Sequence, residues 1–108
     1  MTGRARAEAT LSEADWQRWV MDLARLHRWR VAHYRPAPTK SGRYATPVSG
    51  HVGAPDLILA RDGVVLLAEL KREGGKTSPD QDEWLRHLGQ HGRLWRPSDR
   101  DDVLEALS

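Results

Sequence analysis

The chain has 108 residues, of which 30% are charged, a net charge of +2 and no cysteine. This length predicts one domain with a small core and leaves little room for a second. Disulfides and thiolate metal sites are excluded, so any metal ion must be held by oxygen or imidazole nitrogen, which favours hard cations over structural zinc. No apolar run suits a membrane span or a signal peptide, which predicts a soluble cytoplasmic protein without a membrane partner.

The first elements of the chain are predicted from apolar spacing. Residues 1–11 show no clear period and are predicted to form a flexible N-terminal extension, which leaves 12–108 as the domain. Ser12 is a suitable N-cap for a helix over 13–27, whose apolar residues recur at helical spacing: Trp16, Trp19, Val20, Leu23 and Leu26. The residues WRVAHY (29–34) are typical of a strand.

A loop and a hairpin follow. Residues 35–55 are rich in Pro, Gly, Ser and Thr, and a loop of this length in so small a domain is either functional or disordered. The apolar segments 56–60 and 64–71 are predicted strands, and the dipeptide Asp62-Gly63 between them strongly indicates a type I′ hairpin turn.

The last third of the chain predicts helix, strand and helix. Ser78 and Pro79 begin a helix over about 79–90 with an apolar stripe of Trp84, Leu85 and Leu88. Residues 93–97 form a short strand, and Ser98 is predicted to cap a final helix. The order α-β-β-β-α-β-α predicts an α/β sandwich around a mixed sheet.

One third of the chain is purely cationic. No acidic residue occurs between Asp22 and Asp56, whereas six basic residues do: Arg25, Arg28, Arg30, Arg35, Lys40 and Arg43. Such a segment is a candidate phosphate-binding surface. A solvated, flexible face would have the same composition, and charge alone leaves both interpretations open.

Two carboxylates are predicted to meet across the hairpin. With Asp62-Gly63 as the turn, paired positions sum to 125, so Asp56 faces Glu69, and Lys71 shares their face. Two carboxylates at this range can hold Mg²⁺, which polarises a phosphoryl oxygen and activates water. The pattern indicates metal-assisted phosphodiester hydrolysis. The alternative is an exposed Glu69–Lys71 ion pair, with Asp56 merely beginning its strand.

Five other residues have competing interpretations. Gln81 either completes a capping box with Ser78 or faces the site, and the apolar stripe favours the site. Glu13 either complements the helix dipole or leans toward the site. His87 and His91 could bind zinc at their helical spacing, but a surface pair is favoured because no third ligand is evident. The Lys76 loop lacks the first glycine of a phosphate-binding loop, so no nucleotide cofactor is expected.

Several of these features together resemble a known family. The segment GAPD (53–56), the spacing of thirteen from Asp56 to Glu69 and the tripeptide ELK (69–71) are similar to the PD-(D/E)XK nuclease motif, in the form of the VRR-NUC domain family and its small stand-alone phage-type members. The similarity extends over nearly the whole chain, from the helix start at Ser12 to the closing LWRPSD (94–99).

The resemblance implies a restriction-endonuclease-like fold, with an αβββαβ core and a mixed central sheet flanked by helices. It implies Mg²⁺ (or Mn²⁺) as the cofactor. The residues that it places at the site are Asp56, Glu69, Glu13 and the Leu70 main-chain carbonyl as metal ligands, and Asp56, Glu69, Lys71 and Gln81 as catalytic residues.

The expected activity is metal-dependent, structure-selective cleavage of DNA. The resemblance implies a homodimer that acts on branched or junction DNA in the manner of a Holliday-junction resolvase, in the cytoplasm of a bacterium or a phage-infected cell. The predicted phosphate contacts are Arg35, Lys40, Arg43, Arg72, Lys76 and Arg96. Two alternatives are a non-catalytic DNA-binding module and a nuclease subunit that needs a larger partner.

Overall fold

The computed structural model of the protein describes residues 2–34, 37–38, 44–45 and 49–108. Two helices come first, five strands follow them, and the last strand lies between two further helices. The helices are α1 (Gly3–Thr10), α2 (Glu13–Leu26), α3 (Pro79–Leu88) and α4 (Arg100–Leu107), and the strands are β1 (Arg30–His33), β2 (Ala37–Pro38), β3 (Tyr44–Ala45), β4 (Leu57–Arg61), β5 (Val64–Leu70) and β6 (Gly92–Trp95). Single 3₁₀ turns span Gly89–His91 and Pro97–Asp99.

Four of the strands form one mixed sheet in the order β1-β4-β5-β6. The pairs β1–β4 and β4–β5 are antiparallel, whereas β5 and β6 are parallel and are joined through α3. This arrangement confirms the predicted α/β class and the mixed sheet. The short antiparallel pair of β2 and β3 was not predicted, since both strands lie in the segment interpreted as a loop.

The β4–β5 hairpin forms with the predicted register. Asp62 and Gly63 both have positive φ angles, 51° and 82°, as the type I′ turn requires. Arg61 pairs with Val64, and the ladder continues to Leu57 opposite Ala68. Because successive side chains alternate between faces, this register decides which residues face each layer of helices.

One face of the sheet holds the hydrophobic core. Leu57, Leu59, Leu66, Ala68 and Leu70 alternate along β4 and β5 and are buried. They belong to one cluster with residues of α2 and α4: Trp16, Val20, Ala24, Val103 and Leu107. Two buried indole groups also join these layers, since Trp16 Nε1 donates to the Trp95 carbonyl and Trp29 Nε1 to the Leu107 carbonyl, both at 3.0 Å.

The opposite face is covered by α3 where β5 and β6 lie side by side. The helix begins with a capping box, in which the Ser78 hydroxyl accepts from the Gln81 amide. Trp84 Nε1 donates to the Val52 carbonyl at 2.9 Å and joins the helix to the segment before β4. This face carries the side chains that alternate with the core, including Glu69.

The segment predicted to be a flexible extension contains a helix at residues 3–10, which was not predicted. These residues form α1, in which the Thr2 side chain caps the Ala5 amide and Arg4 pairs with Glu8 at 2.9 Å. No residue of α1 is buried, so the sequence has no apolar period there. The Thr2 cap and the Arg4–Glu8 ion pair stabilise this helix. Neither produces the apolar period from which helices are predicted.

The predicted cap of the last helix is also wrong. The Ser98 hydroxyl donates to Glu73 Oε1 at 2.9 Å instead of capping a helix. A 3₁₀ turn follows Arg96, and α4 begins only at Arg100. Among all these described residues, no helix is both long enough and apolar enough to cross a membrane.

Candidate active site

The open end of the β4–β5 hairpin, opposite the turn, brings four of the predicted site residues together. Glu69 is only 2% exposed, although it is an acid. Its Oε1 accepts from Gln81 Nε2 at 2.7 Å and lies 3.5 Å from Lys71 Nζ. Its Oε2 is buried and has no hydrogen-bond partner among the described residues. Within the described part of the chain, Glu69 therefore has one satisfied oxygen and one without a donor.

Asp56 lies one residue beyond the β4–β5 ladder. Its Oδ2 accepts from the Leu70 amide at 3.2 Å, and its carbonyl accepts from the Tyr34 amide at 3.0 Å. Burial raises the pKa of Asp56 above its ordinary value, against the opposing effects of the Leu70 hydrogen bond and the charges of His33 and Lys71. The predicted meeting of Asp56 with Glu69 and Lys71 at one site is confirmed.

The pKa of Glu69 is raised from 4.5 to about 7. Burial is the largest cause, the Asp56 carboxylate is the next, and Lys71 opposes both. The Glu13 carboxylate makes a smaller contribution in the same direction as Asp56. Near neutral pH, the site therefore holds a proton that a divalent cation could replace.

Gln81 fulfils both of the roles that the sequence left as alternatives. Its Oε1 accepts from the Ser78 amide at 2.9 Å, which completes the capping box. Its Nε2 donates to Glu69. Since a main-chain amide can only donate, the cap fixes the amide group with its nitrogen toward Glu69. The capping box therefore orients the donor at the site.

Gly53 allows the segment before β4 to approach the start of α3. Its φ angle is 93°, and a Cβ atom at this position would lie 2.8 Å from Asp80. Any other residue would meet both a steric clash and an unfavourable backbone conformation. The glycine of the GAPD segment thus fixes the distance between the Asp56 strand and the Gln81 helix.

The residues predicted to contact phosphates differ from one another in exposure and in hydrogen bonding. Arg72 and Lys76 are exposed on the loop between β5 and α3. Arg96 instead holds this loop, because its Nε and Nη2 donate to the Gly75 carbonyl at 3.0 and 2.7 Å. Glu73 holds it too, as it accepts from the Ser98 amide at 3.0 Å. The remaining predicted contacts lie outside the described residues: Arg35, Lys40 and Arg43.

The carboxylates form a pair and not a larger cluster. Glu13 is exposed in the first turn of α2 and acts on Glu69 through its charge. Within the part of the chain that the structure describes, no three His, Asp or Glu side chains are arranged to hold a metal ion. His87 and His91 are exposed, and each contacts a different protein group, Glu83 Oε1 and the Val65 carbonyl.

The donors at the site suit a hard divalent cation. Asp56 and Glu69 both supply carboxylate oxygen. A buried carboxylate oxygen normally has a hydrogen-bond partner, but the described residues supply none to Glu69 Oε2. Mg²⁺ commonly uses one or two carboxylates, with water and substrate phosphates as the other ligands. A pair of acids without a third protein carboxylate is therefore sufficient.

Two residues near Asp56 were not predicted as site residues. His33 is half-buried, and its charge lowers the pKa of Asp56. Tyr34 follows it and is 54% exposed. The β1–β4 register pairs His33 with Leu57, so its continuation would place Tyr34 beside Asp56. The sequence alone does not predict this register, because a long segment joins β1 to β4 and does not determine how the two strands pair.

The comparisons with known proteins add no family to this description. Neither a family model, nor a curated protein, nor a solved structure matches the chain. The residues of the site are therefore the basis for a function, and their arrangement is that of two desolvated acids, an amide donor and a lysine at the end of the two middle strands of the sheet.

Proposed function

We propose that the protein is a metal-dependent DNA endonuclease that hydrolyses phosphodiester bonds at Asp56, Glu69 and Lys71. The observation that carries the proposal is the buried Glu69 carboxylate, which has a second acid beside it and an oxygen to which no group of the described residues donates. A buried acid of this kind destabilises a fold unless a ligand compensates it. A divalent cation supplies that compensation and also the chemistry.

Asp56 and Glu69 would hold Mg²⁺ or Mn²⁺, with the Leu70 main-chain carbonyl as a further oxygen ligand. Such a cation would polarise a phosphoryl oxygen and lower the pKa of a coordinated water. The Lys71 ammonium would stabilise the negative charge that develops on the attacked phosphoryl group. Gln81 would act as a positioning residue, because its hydrogen bond holds Oε1 of Glu69 and leaves Oε2 for the cation.

The surrounding structure supports this assignment. The elements α2, β1, β4, β5, α3 and β6 follow one another in the αβββαβ order of a restriction-endonuclease-like core, apart from the short β2–β3 pair. Arg72 and Lys76 are exposed next to the site and would contact backbone phosphates. Arg96 would act indirectly, by holding their loop through Gly75. A homodimer and junction DNA stay predictions from the sequence resemblance.

A cleavage assay tests the proposal. The purified protein is incubated with linear, flap and four-way-junction DNA in the presence of Mg²⁺, Mn²⁺ or EDTA, and the products are separated by size. We expect cleavage only with a metal ion. Asp56→Asn should abolish it, and Lys71→Ala should reduce it about 10²–10³-fold, the effect of removing one group that stabilises developing charge.

Asp62→Asn is the matched control, because it makes the same change at the turn end of the same hairpin. Asn also tolerates the positive φ of that position, so this variant should cleave like the unmodified protein. If no variant cleaves and all bind DNA equally with EDTA, the protein is a DNA-binding module. Cleavage that survives Asp56→Asn would place the active site elsewhere.

A further inference from the structure

Tyr34 extends the β1–β4 ladder to the candidate active site. Its amide donates to the Asp56 carbonyl at 3.0 Å, one position beyond the His33–Leu57 pair. In that register, Tyr34 and Asp56 are cross-strand neighbours on one face of the sheet, with Cβ atoms about 4.5–5.5 Å apart. The same face carries Glu69.

The Tyr34 side chain is exposed at this position. It is 54% exposed, whereas Glu69 on the same face is 2% exposed. The one stacked ring pair among the described residues is Trp16 with Trp19, so Tyr34 has no stacking partner there. A single exposed aromatic residue needs no explanation by itself. The position of Tyr34 beside a pair of desolvated acids does need an explanation.

The rest of this face leads from Tyr34 to a basic side chain. Ala32, Ile58 and Ala60 on this face are half-buried or exposed. Together with Arg30 they line one side of a cavity of about 450 Å³, whose other lining residues are Arg25 of α2, Trp29 and Val31. Arg30 lies four residues before Tyr34 on the same face, which is about 13 Å along the strand. The face thus has two acids and an aromatic ring at one end and the Arg30 guanidinium at the other.

We propose that Tyr34 stacks on an unpaired DNA base next to the scissile phosphate, while the adjoining strand crosses this face toward Arg30. The inference rests on the proposed function and names its substrate class, DNA with a single-stranded branch. A base inside a duplex has both faces covered by its neighbours, so an aromatic side chain stacks only on a base that is free of them. The Arg30 guanidinium matches the charge of the phosphates that follow.

The experiment measures binding without cleavage. An oligo-thymidine strand that carries one 2-aminopurine, and a blunt hairpin duplex of equal length, are titrated with protein in EDTA. Tyr34→Ala should weaken binding of the single strand about tenfold and remove the quenching of 2-aminopurine fluorescence that stacking causes. Tyr34→Phe retains a stacking ring and should bind and quench like the unmodified protein. Duplex binding should not change.

Leu104→Ala is the matched control, since it removes another exposed apolar side chain, 41% exposed, from α4 on the opposite side of the sheet. It should change neither measurement. Equal binding and quenching by Tyr34→Ala and the unmodified protein would overturn the stacking proposal, even where metal-dependent cleavage is found. Tyr34-dependent quenching without any cleavage would support the stacking and overturn the nuclease assignment, so the two proposals fail separately.

Discussion

Each end of the β4–β5 hairpin holds a charged side chain, Arg61 half-buried and Glu69 buried, but the partners of the two charges differ. At the turn end, the Arg61 guanidinium donates to the carbonyls of His27, Leu107 and Ser108 at 3.0 to 3.2 Å and lies 4.5 Å from the centre of the Trp29 ring. At the open end, Glu69 has a hydrogen bond at Oε1 and none at Oε2 among the described residues.

The difference separates a structural charge from one that is prepared for a ligand. Carbonyl oxygens and an aromatic face satisfy a guanidinium, and such a charge joins elements together. A desolvated acid beside a second acid has the opposite effect on stability. We therefore expect changes at the turn end to destabilise the protein and changes at the open end to affect stability only through pH and ligand binding.

Trp29→Ala is expected to have the largest effect. It removes a buried indole, its hydrogen bond to the Leu107 carbonyl and the ring beneath Arg61. The free energy of unfolding should fall by about 3–5 kcal/mol, measured by urea denaturation followed by circular dichroism. Trp29→Phe keeps a ring and should lose less. A loss below about 1 kcal/mol would show that this end of the hairpin does not hold the helices and the sheet together.

The pH dependence of stability should show the ionisation of Glu69 at the open end of the hairpin. The unfolded chain ionises Glu69 near pH 4.5, whereas the native protein does so near pH 7. Between these values unfolding releases a proton, so stability is full below pH 4.5 and falls as the pH rises through 7. The fall should be at most about 3 kcal/mol, measured by urea denaturation in EDTA.

Glu69→Gln is the control for this dependence. It cannot ionise, so most of the decline should disappear, and the variant should be more stable than the unmodified protein at pH 8. The raised pKa of Asp56 leaves a smaller decline in the same direction. If the variant shows the same decline, Glu69 is not the group that titrates. If it is less stable at pH 8, the Glu69–Lys71 pair stabilises the fold instead.

Arg61→Leu tests the turn end at the charge itself. The substitution keeps part of the apolar stem but removes the Arg61 donor from the His27 and Ser108 carbonyls, whereas the Leu107 carbonyl retains its hydrogen bond from Trp29 Nε1. The loss should be about 1–3 kcal/mol, and Arg61→Lys should lose less because the charge over Trp29 is kept. Thermal unfolding at two pH values is the measurement. If the stability of both variants equals that of the unmodified protein, the charge at the turn end does not stabilise the fold, and the contrast between the two ends is wrong.

The sequence predicts which side chains lie together at the open end of the hairpin, because the turn and the strand period decide this. The Asp62-Gly63 turn fixes the register, and the period of two then places Glu69 and Lys71 on one face. The position of Asp56 follows from the same register. No contact with a distant element is needed for these three residues to meet.

Other features depend on contacts that a sequence pattern does not contain. Ser98 was predicted as a cap, but Glu73, 25 residues away, binds its hydroxyl. Helix α1 has no buried side and therefore no apolar period. The place of Tyr34 beside Asp56 requires the β1–β4 register. Which oxygen of Glu69 receives a hydrogen bond depends on the position of α3, because this helix carries the Gln81 donor.

Gln81→Glu should have the smallest effect and separates the two roles of this residue. Glutamate suits the capping box as well as glutamine, so the cap to the Ser78 amide is retained. The donor to Glu69 is lost, and a third acid enters the site. At pH 8 the variant should be about 1 kcal/mol less stable, and at pH 5, where Glu69 is protonated and can donate, the difference should vanish. Equal losses at both pH values would mean that the cap, and not the bond to Glu69, was disturbed.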